Sequence, residues 1–141
     1  MEAINEEIKE FEMHIGDLLR LGLIRKSTSS HRSATFIVKK HSEVIRGKSR
    51  MVINYKRLND NTLKNSYNIP DIDQLINRIQ RKYIFSKFDC KSGFWQVKMH
   101  PNSIEWTAFT YLLGYFEWLV MPFGLRNTSA PQFFRERWTR H

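Results

Sequence analysis

Apolar residues recur along this chain at two kinds of spacing. Ile4, Ile8, Phe11, Ile15, Leu18 and Leu19 step by three or four, which puts them on one face of a helix with Gly22 as its stop. Glu2, Glu6 and Glu7 lie near its N-terminus, where the helix dipole favours acids. The stripe reads as core packing, with nothing that calls for a partner helix. After a polar loop at 27–33, "ATFIVKK" (34–40) and "RMVINYK" (50–56) are rich in β-branched and aromatic residues and predict two strands. The charged residues between them predict a hairpin with a long basic tip, and the Asn-rich stretch 58–68 predicts a loop. Pro70 and Asp71 open a short helix whose Ile72, Leu75, Ile76 and Ile79 share a face. Asp71 and Asp73 then read as helix N-terminal charges rather than a metal pair. Tyr83 to Asp89 predicts a strand, and Trp95, Val97 and Met99, alternating with Gln96 and Lys98, a second. Residues 107–111 and 115–121 predict a hairpin turning at Leu113–Gly114, and Pro131 opens a further helix. The class is α+β, one domain with helices and strands intermixed.

Composition narrows the function classes. The chain has 141 residues, enough for one core, and a hydrophobic content of 41% excludes wholesale disorder. Its single cysteine, Cys90, excludes a disulfide framework or a cysteine-rich zinc site within the chain, and its five histidines show no metal-ligand spacing. The acidic N-terminus lacks the basic start and apolar segment of a secretory signal, and no apolar run reaches the roughly 18 residues of a membrane span. The expectation is a soluble intracellular protein, with no signal that chooses between cytoplasm and nucleus. Charge is unevenly placed. Residues 1–17 carry six acids against one Lys, whereas residues 20–57 carry eleven Lys or Arg against Glu43. A basic block of that kind suits a polyanion, either nucleic acid or nucleotide phosphates.

Asp89 shares the parity of Tyr83, Phe85 and Lys87 and precedes a Ser-Gly turn. A carboxylate at such a strand end faces a cleft or caps a turn. It does not sit buried without a partner or metal. Mg²⁺ takes one or two carboxylates plus substrate phosphates, and two such ions stabilise the attacking and leaving oxygens of phosphoryl transfer. One carboxylate does not hold two metals.

"FSKFDCKSGFWQVKMHPNSIEWTAFT", followed by "LVMPFGLRN", closely resembles reverse transcriptases of plant pararetroviruses (caulimoviruses and badnaviruses) and Gypsy-type retrotransposons. "LGLIRKSTSSHRSATFIVKK", "KSRMVINYKRLND" and "YNIPDIDQLI" fall upstream in the family's order, so the resemblance runs from about Leu18 to Phe134. It implies a right-hand polymerase, with fingers over about 1–82 and the first part of the palm over about 83–141. It implies an RNA-directed DNA polymerase that adds dNTPs to a primer 3′-OH on an RNA or DNA template with two Mg²⁺ ions. Asp89 matches the first catalytic metal-binding aspartate, and the backbone carbonyl of Cys90 an additional ligand. Phe94 matches the bulky residue beneath the incoming sugar, which excludes a ribose 2′-OH. Ser92 and Gly93 lie where main-chain N–H groups meet the phosphates. Lys40 and Arg50 match the fingers residues that clamp the triphosphate, and the planar fork of Arg suits bidentate phosphate binding. Phe123, in "MPFG", matches a residue lining the nucleotide pocket near the sugar. Asn54, Lys56 and Asn59 fall in the second fingers block, which supports the hairpin and the template strand.

The sequence departs from the family in one place that decides its chemistry. The family completes its metal site with adjacent aspartates in a Tyr-x-Asp-Asp hairpin, and no Asp-Asp pair occurs in these 141 residues. The later palm, the thumb and any ribonuclease H portion are likewise not among them. The chain alone is therefore expected not to polymerise, and the strand ending in Asp89 is expected to lack its partner and to leave apolar groups uncovered. Ser30 and Ala34 replace usual prolines, Leu112–Leu113 a usual Pro-x-Gly turn, and "NTSAPQFF" carries two extra residues. Such drift suits a decayed endogenous copy, a frameshift or a mis-joined gene model. Two alternatives to a polymerase fragment stay open: a basic, non-catalytic nucleic-acid-binding module, and a relic without selected function.

Overall fold

The computed structural model describes residues 2–39, 49–64, 71–112 and 114–128. The basic hairpin tip with Lys40, the start of the Pro70 helix and the helix expected from Pro131 lie outside these residues.

The N-terminal periodicity forms helix α1 (Glu2–Arg20). Phe11, Ile15 and Leu18 are its buried face. Gly22, at φ 69°, ends it: its N–H donates to the Leu19 carbonyl, and that of Leu23 donates to Leu18. This pair of bonds caps the last carbonyls and needs a left-handed residue, which glycine supplies without a Cβ clash. The chain then runs through β1 (Ile24–Lys26), β2 (Ser33–Val38), β3 (Arg50–Ile53), a short helix α2 (Lys56–Asp60) and α3 (Ile72–Ile79). β4 (Phe109–Tyr111) and β5 (Gly114–Trp118) follow three 3₁₀ turns.

The strands form one mixed sheet in the order β1-β5-β4-β2-β3. Among the described residues only β2 and β4 run parallel, and they pair only at Ser33 with Phe109 and Ala34 with Thr110. β2 and β3 pair antiparallel from Thr35–Ile53 to Val38–Arg50, as the sequence predicts. The β4–β5 hairpin also forms where expected, closing at Tyr111–Gly114. α1 covers the sheet. Phe11 stacks on Tyr111 at 3.9 Å, and Phe109, fully buried, meets Phe116 and Trp118 at 5.9 and 6.1 Å. Burying each such side chain contributes about 1.5–3 kcal/mol.

Two polar sets are built into this core. Tyr55 donates from its hydroxyl to the Thr107 carbonyl at 2.7 Å. Thr107 donates to the Ile104 carbonyl and accepts from the Trp118 N–H. At the sheet's other end, the buried carboxylate of Glu117 accepts from Arg25 at 2.8 Å and from Ser27 at 2.7 Å, tying β1 to β5.

Three expectations fail, each for a physical reason. Residues 83–89, predicted as a strand, take no regular structure and are exposed throughout. A strand exists only through pairing, and among the described residues none lies beside it. Tyr83, Ile84, Phe85 and Phe88 are left in solvent, as is the apolar face of α3. The predicted strand 95–99 is a 3₁₀ turn at Gly93–Gln96, then a short pairing in which Met99 N–H bonds Leu119 and Met121 N–H bonds Val97. The predicted 58–68 loop is partly helical, because α2, capped at Tyr55, runs on through Asp60.

Candidate functional site

Arg50 opens β3 and reaches the strand's exposed end. Phe123 stands in the turn after Met121–Pro122. Gly124 follows it at φ 93°, a conformation that favours glycine. α2 fixes that turn. Asn59 donates to the Gly124 carbonyl at 2.8 Å and accepts from the Arg126 N–H at 2.7 Å. The Arg126 guanidinium in turn donates to the carbonyls of Asn59 and Thr62. Phe94 sits in the 3₁₀ turn that Ser92 starts. Ser92 is left-handed, at φ 50° and ψ 49°, a costly conformation for a non-glycine and one found often at functional sites. It sends the chain sharply from Cys90 into Gly93–Gln96, so the Phe94 ring meets Phe123 edge-on at 5.1 Å.

Arg50 and Phe123 line one cleft of about 720 Å³, with Phe94 beside it through that ring contact. Its walls are mainly apolar: Leu18, Leu21, Met51, Ile53, Trp95 and Trp118. His14, Asp17, Arg20 and Ser49 supply polar groups. A mostly apolar cleft with a few converging polar groups has the character of a small-molecule site, and an exposed Arg at its mouth suits an anionic ligand. The α1 contribution and the two tryptophans were not singled out from sequence. His14 and Asp17 flank the apolar stripe, which was the available signal.

Asp89 and Cys90 are exposed and lie on the unpaired segment, not in the lining of this cleft. Their carboxylate and carbonyl are hard oxygen donors of the kind Mg²⁺ takes. Among the described residues, however, no three His, Cys, Asp or Glu side chains gather into a set that would hold a metal. These residues fit part of a divalent-metal site and not the whole of one. A second groove, of about 430 Å³, is lined by Arg32, Asn54, Lys56, Arg57 and Asp60, and the Arg32 guanidinium lies 4.5 Å over the Tyr115 ring.

Comparison with known proteins agrees with this architecture. Over 127 residues the chain is 47% identical to the enzymatic polyprotein of Cauliflower mosaic virus (strain CM-1841), covering 90% of this chain. Over 125 residues it is 48% identical to that of Figwort mosaic virus (strain DxS), covering 89%. It spans 18% of the length of either polyprotein. The fold matches a foamy viral protease-reverse transcriptase solved in complex with dsDNA, with TM-score 0.71 and 25% identity over 95% of this chain and 27% of that one. No helix among the described residues is long and apolar enough to cross a membrane. Residues 37–134 match the family described as reverse transcriptase (RNA-dependent DNA polymerase), and the chain belongs to that family.

Proposed function

We propose that residues 1–82 form the fingers and residues 83–141 the first part of the palm of an RNA-directed DNA polymerase, and that the cleft at Arg50 and Phe123 receives the incoming dNTP. The juxtaposition of Arg50, Phe123 and Phe94, which stand far apart in sequence, carries this reading. Arg50, with Lys40, would bind the triphosphate through charge-assisted hydrogen bonds. Phe94 and Phe123 would flank the sugar, with Phe94 excluding a 2′-OH. The main-chain N–H groups at Ser92 and Gly93 would meet the phosphates. Asp89 and the Cys90 carbonyl would contribute to a Mg²⁺ site whose remaining carboxylates lie outside these 141 residues. The chain would then bind template-primer and nucleotide without completing the reaction.

Titration of the chain with dTTP and with inorganic tripolyphosphate tests the pocket. Wild type binds both, and Arg50→Gln binds both about tenfold more weakly or worse, the loss expected for a charged phosphate contact. Equal affinities for the two proteins would remove Arg50 from the site. The Arg32, Lys56 and Arg57 groove favours a second reading, as a sequence-indifferent polynucleotide-binding module. That reading predicts affinity for single-stranded oligonucleotides of unrelated sequence that falls steeply with salt, and salt-insensitive binding would exclude it.

A further inference from the structure

The distal half of the β2–β3 hairpin stands clear of the sheet. Among the described residues β4 pairs with β2 only at Ser33 and Ala34, and β3 is an edge strand. A two-stranded ribbon on its own is marginal in water, so something else must fix the end that carries the cationic residues. Helix α1 does so at two points, one turn apart. Glu10 pairs with the Lys39 ammonium at 3.0 Å, and His14 Nε2 lies 3.2 Å from Ser49 Oγ. Lys39 and Ser49 follow and precede the last paired residues of the ladder, Val38 and Arg50. They flank residues 40–48 in sequence and are adjacent to Lys40 and Arg50 respectively. The second Glu10 oxygen is buried without a hydrogen-bond partner, so this carboxylate is partly withdrawn from water and directed at Lys39. Its hydrogen bond and charge hold the Lys39 ammonium above its ordinary pKa.

We propose that Glu10 and His14 are positioning residues for phosphate binding: from one face of α1 they hold Lys39 and Ser49, and so set where the Arg50 cation at the start of β3 stands. Glu10 lies outside the lining of the cleft, and His14, at its wall, acts through Ser49. The inference rests on the reading of Arg50 and Lys40 as triphosphate contacts.

The sign of one substitution separates positioning from bulk electrostatics. Removing an acid near a cationic site ordinarily tightens anion binding. Positioning predicts the reverse. In calorimetric titration with inorganic tripolyphosphate at fixed ionic strength, Glu10→Gln and His14→Leu should each bind more weakly, and the double variant about tenfold more weakly than wild type. His14→Gln, which keeps a nitrogen at the Nε2 position, should recover most of the loss. The charge swap Glu10→Lys with Lys39→Glu, which preserves net charge, should recover the Glu10→Gln loss. Circular dichroism and thermal melts on the same samples confirm that each variant is folded, and the swap keeps the test decisive where a single variant is not. Wild-type affinity in Glu10→Gln and His14→Leu, or tighter binding in Glu10→Gln, overturns the proposal while leaving the Arg50 assignment intact. If wild type and Arg50→Gln bind tripolyphosphate alike, the reading of the cleft fails and the positioning role falls with it.

Discussion

Tyr55 joins the end of β3 to the core, and removing its hydroxyl tests that joint with little change of shape. Tyr55→Phe keeps the buried ring and deletes one atom. Tyr55 is 2% exposed and Thr107 1%, so no water replaces the lost donor at the Thr107 carbonyl. That carbonyl belongs to a residue which also donates to Ile104 and accepts from Trp118. Leaving one buried acceptor unpaired costs about 1–3 kcal/mol. For a chain of this size each kcal/mol lowers Tm by roughly 4 °C, so a thermal melt followed by circular dichroism should fall by about 4–12 °C. The pH dependence adds a second arm. Burial pushes the Tyr55 phenol up from its ordinary 10.0, against a smaller opposing pull from Trp118. A pKa raised on folding contributes stability that is fully present below 10.0 and is lost as pH climbs above it. The wild-type advantage over Tyr55→Phe should therefore shrink as pH rises beyond about 10. Tyr111, whose phenol burial also raises, titrates alike in both proteins and cancels. A loss at neutral pH below about 0.5 kcal/mol, or parallel alkaline slopes for the two proteins, would refute the reasoning.

Two further substitutions probe the site and the uncovered surface. Asn59→Ala removes the side-chain bonds to Gly124 and Arg126 and should destabilise by about 1–2 kcal/mol while weakening dTTP binding, since the Phe123 turn loses its anchor. Unchanged dTTP affinity would show that the turn holds Phe123 without Asn59. The exposed α3 face should drive self-association, so Leu75→Glu with Ile76→Lys should shift sedimentation toward monomer at equal concentration with little effect on Tm. Identical sedimentation profiles would place the sticky surface elsewhere.

Local pattern made some of this structure legible in advance. α1 and the β2–β3 and β4–β5 hairpins follow from spacing and residue type alone, because each buries a face whose period matches its own geometry. Asp71 caps α3 as its type and position suggest. What escaped depends on partners distant in sequence. β1 is three residues, Ile-Arg-Lys, too short to show alternation, and it exists because Glu117 and the β5 backbone receive it. Tyr83 to Asp89 has strand composition and, among the described residues, no strand to pair with. Trp95 and Val97 alternate as a strand would, but the left-handed Ser92 forces a turn there first. Of the candidate site, Arg50, Phe94 and Phe123 were named through family resemblance; Arg50 and Phe123 line one cleft, and Phe94 meets Phe123. The walls of their cleft, Leu21, Trp95 and Trp118, came only with the fold.

The most direct test of the central assignment places this segment inside a complete enzyme. Identity of 47% over 127 residues makes an exchange for the matching part of the Cauliflower mosaic virus polyprotein practicable. Primer extension by that chimaera, on RNA and on DNA templates with Mg²⁺, should be measured beside the same chimaera carrying Asp89→Asn. Extension should depend on dNTPs and be abolished by the Asp89→Asn substitution. A folded chimaera that extends no primer, or one whose extension survives Asp89→Asn, would contradict the assignment.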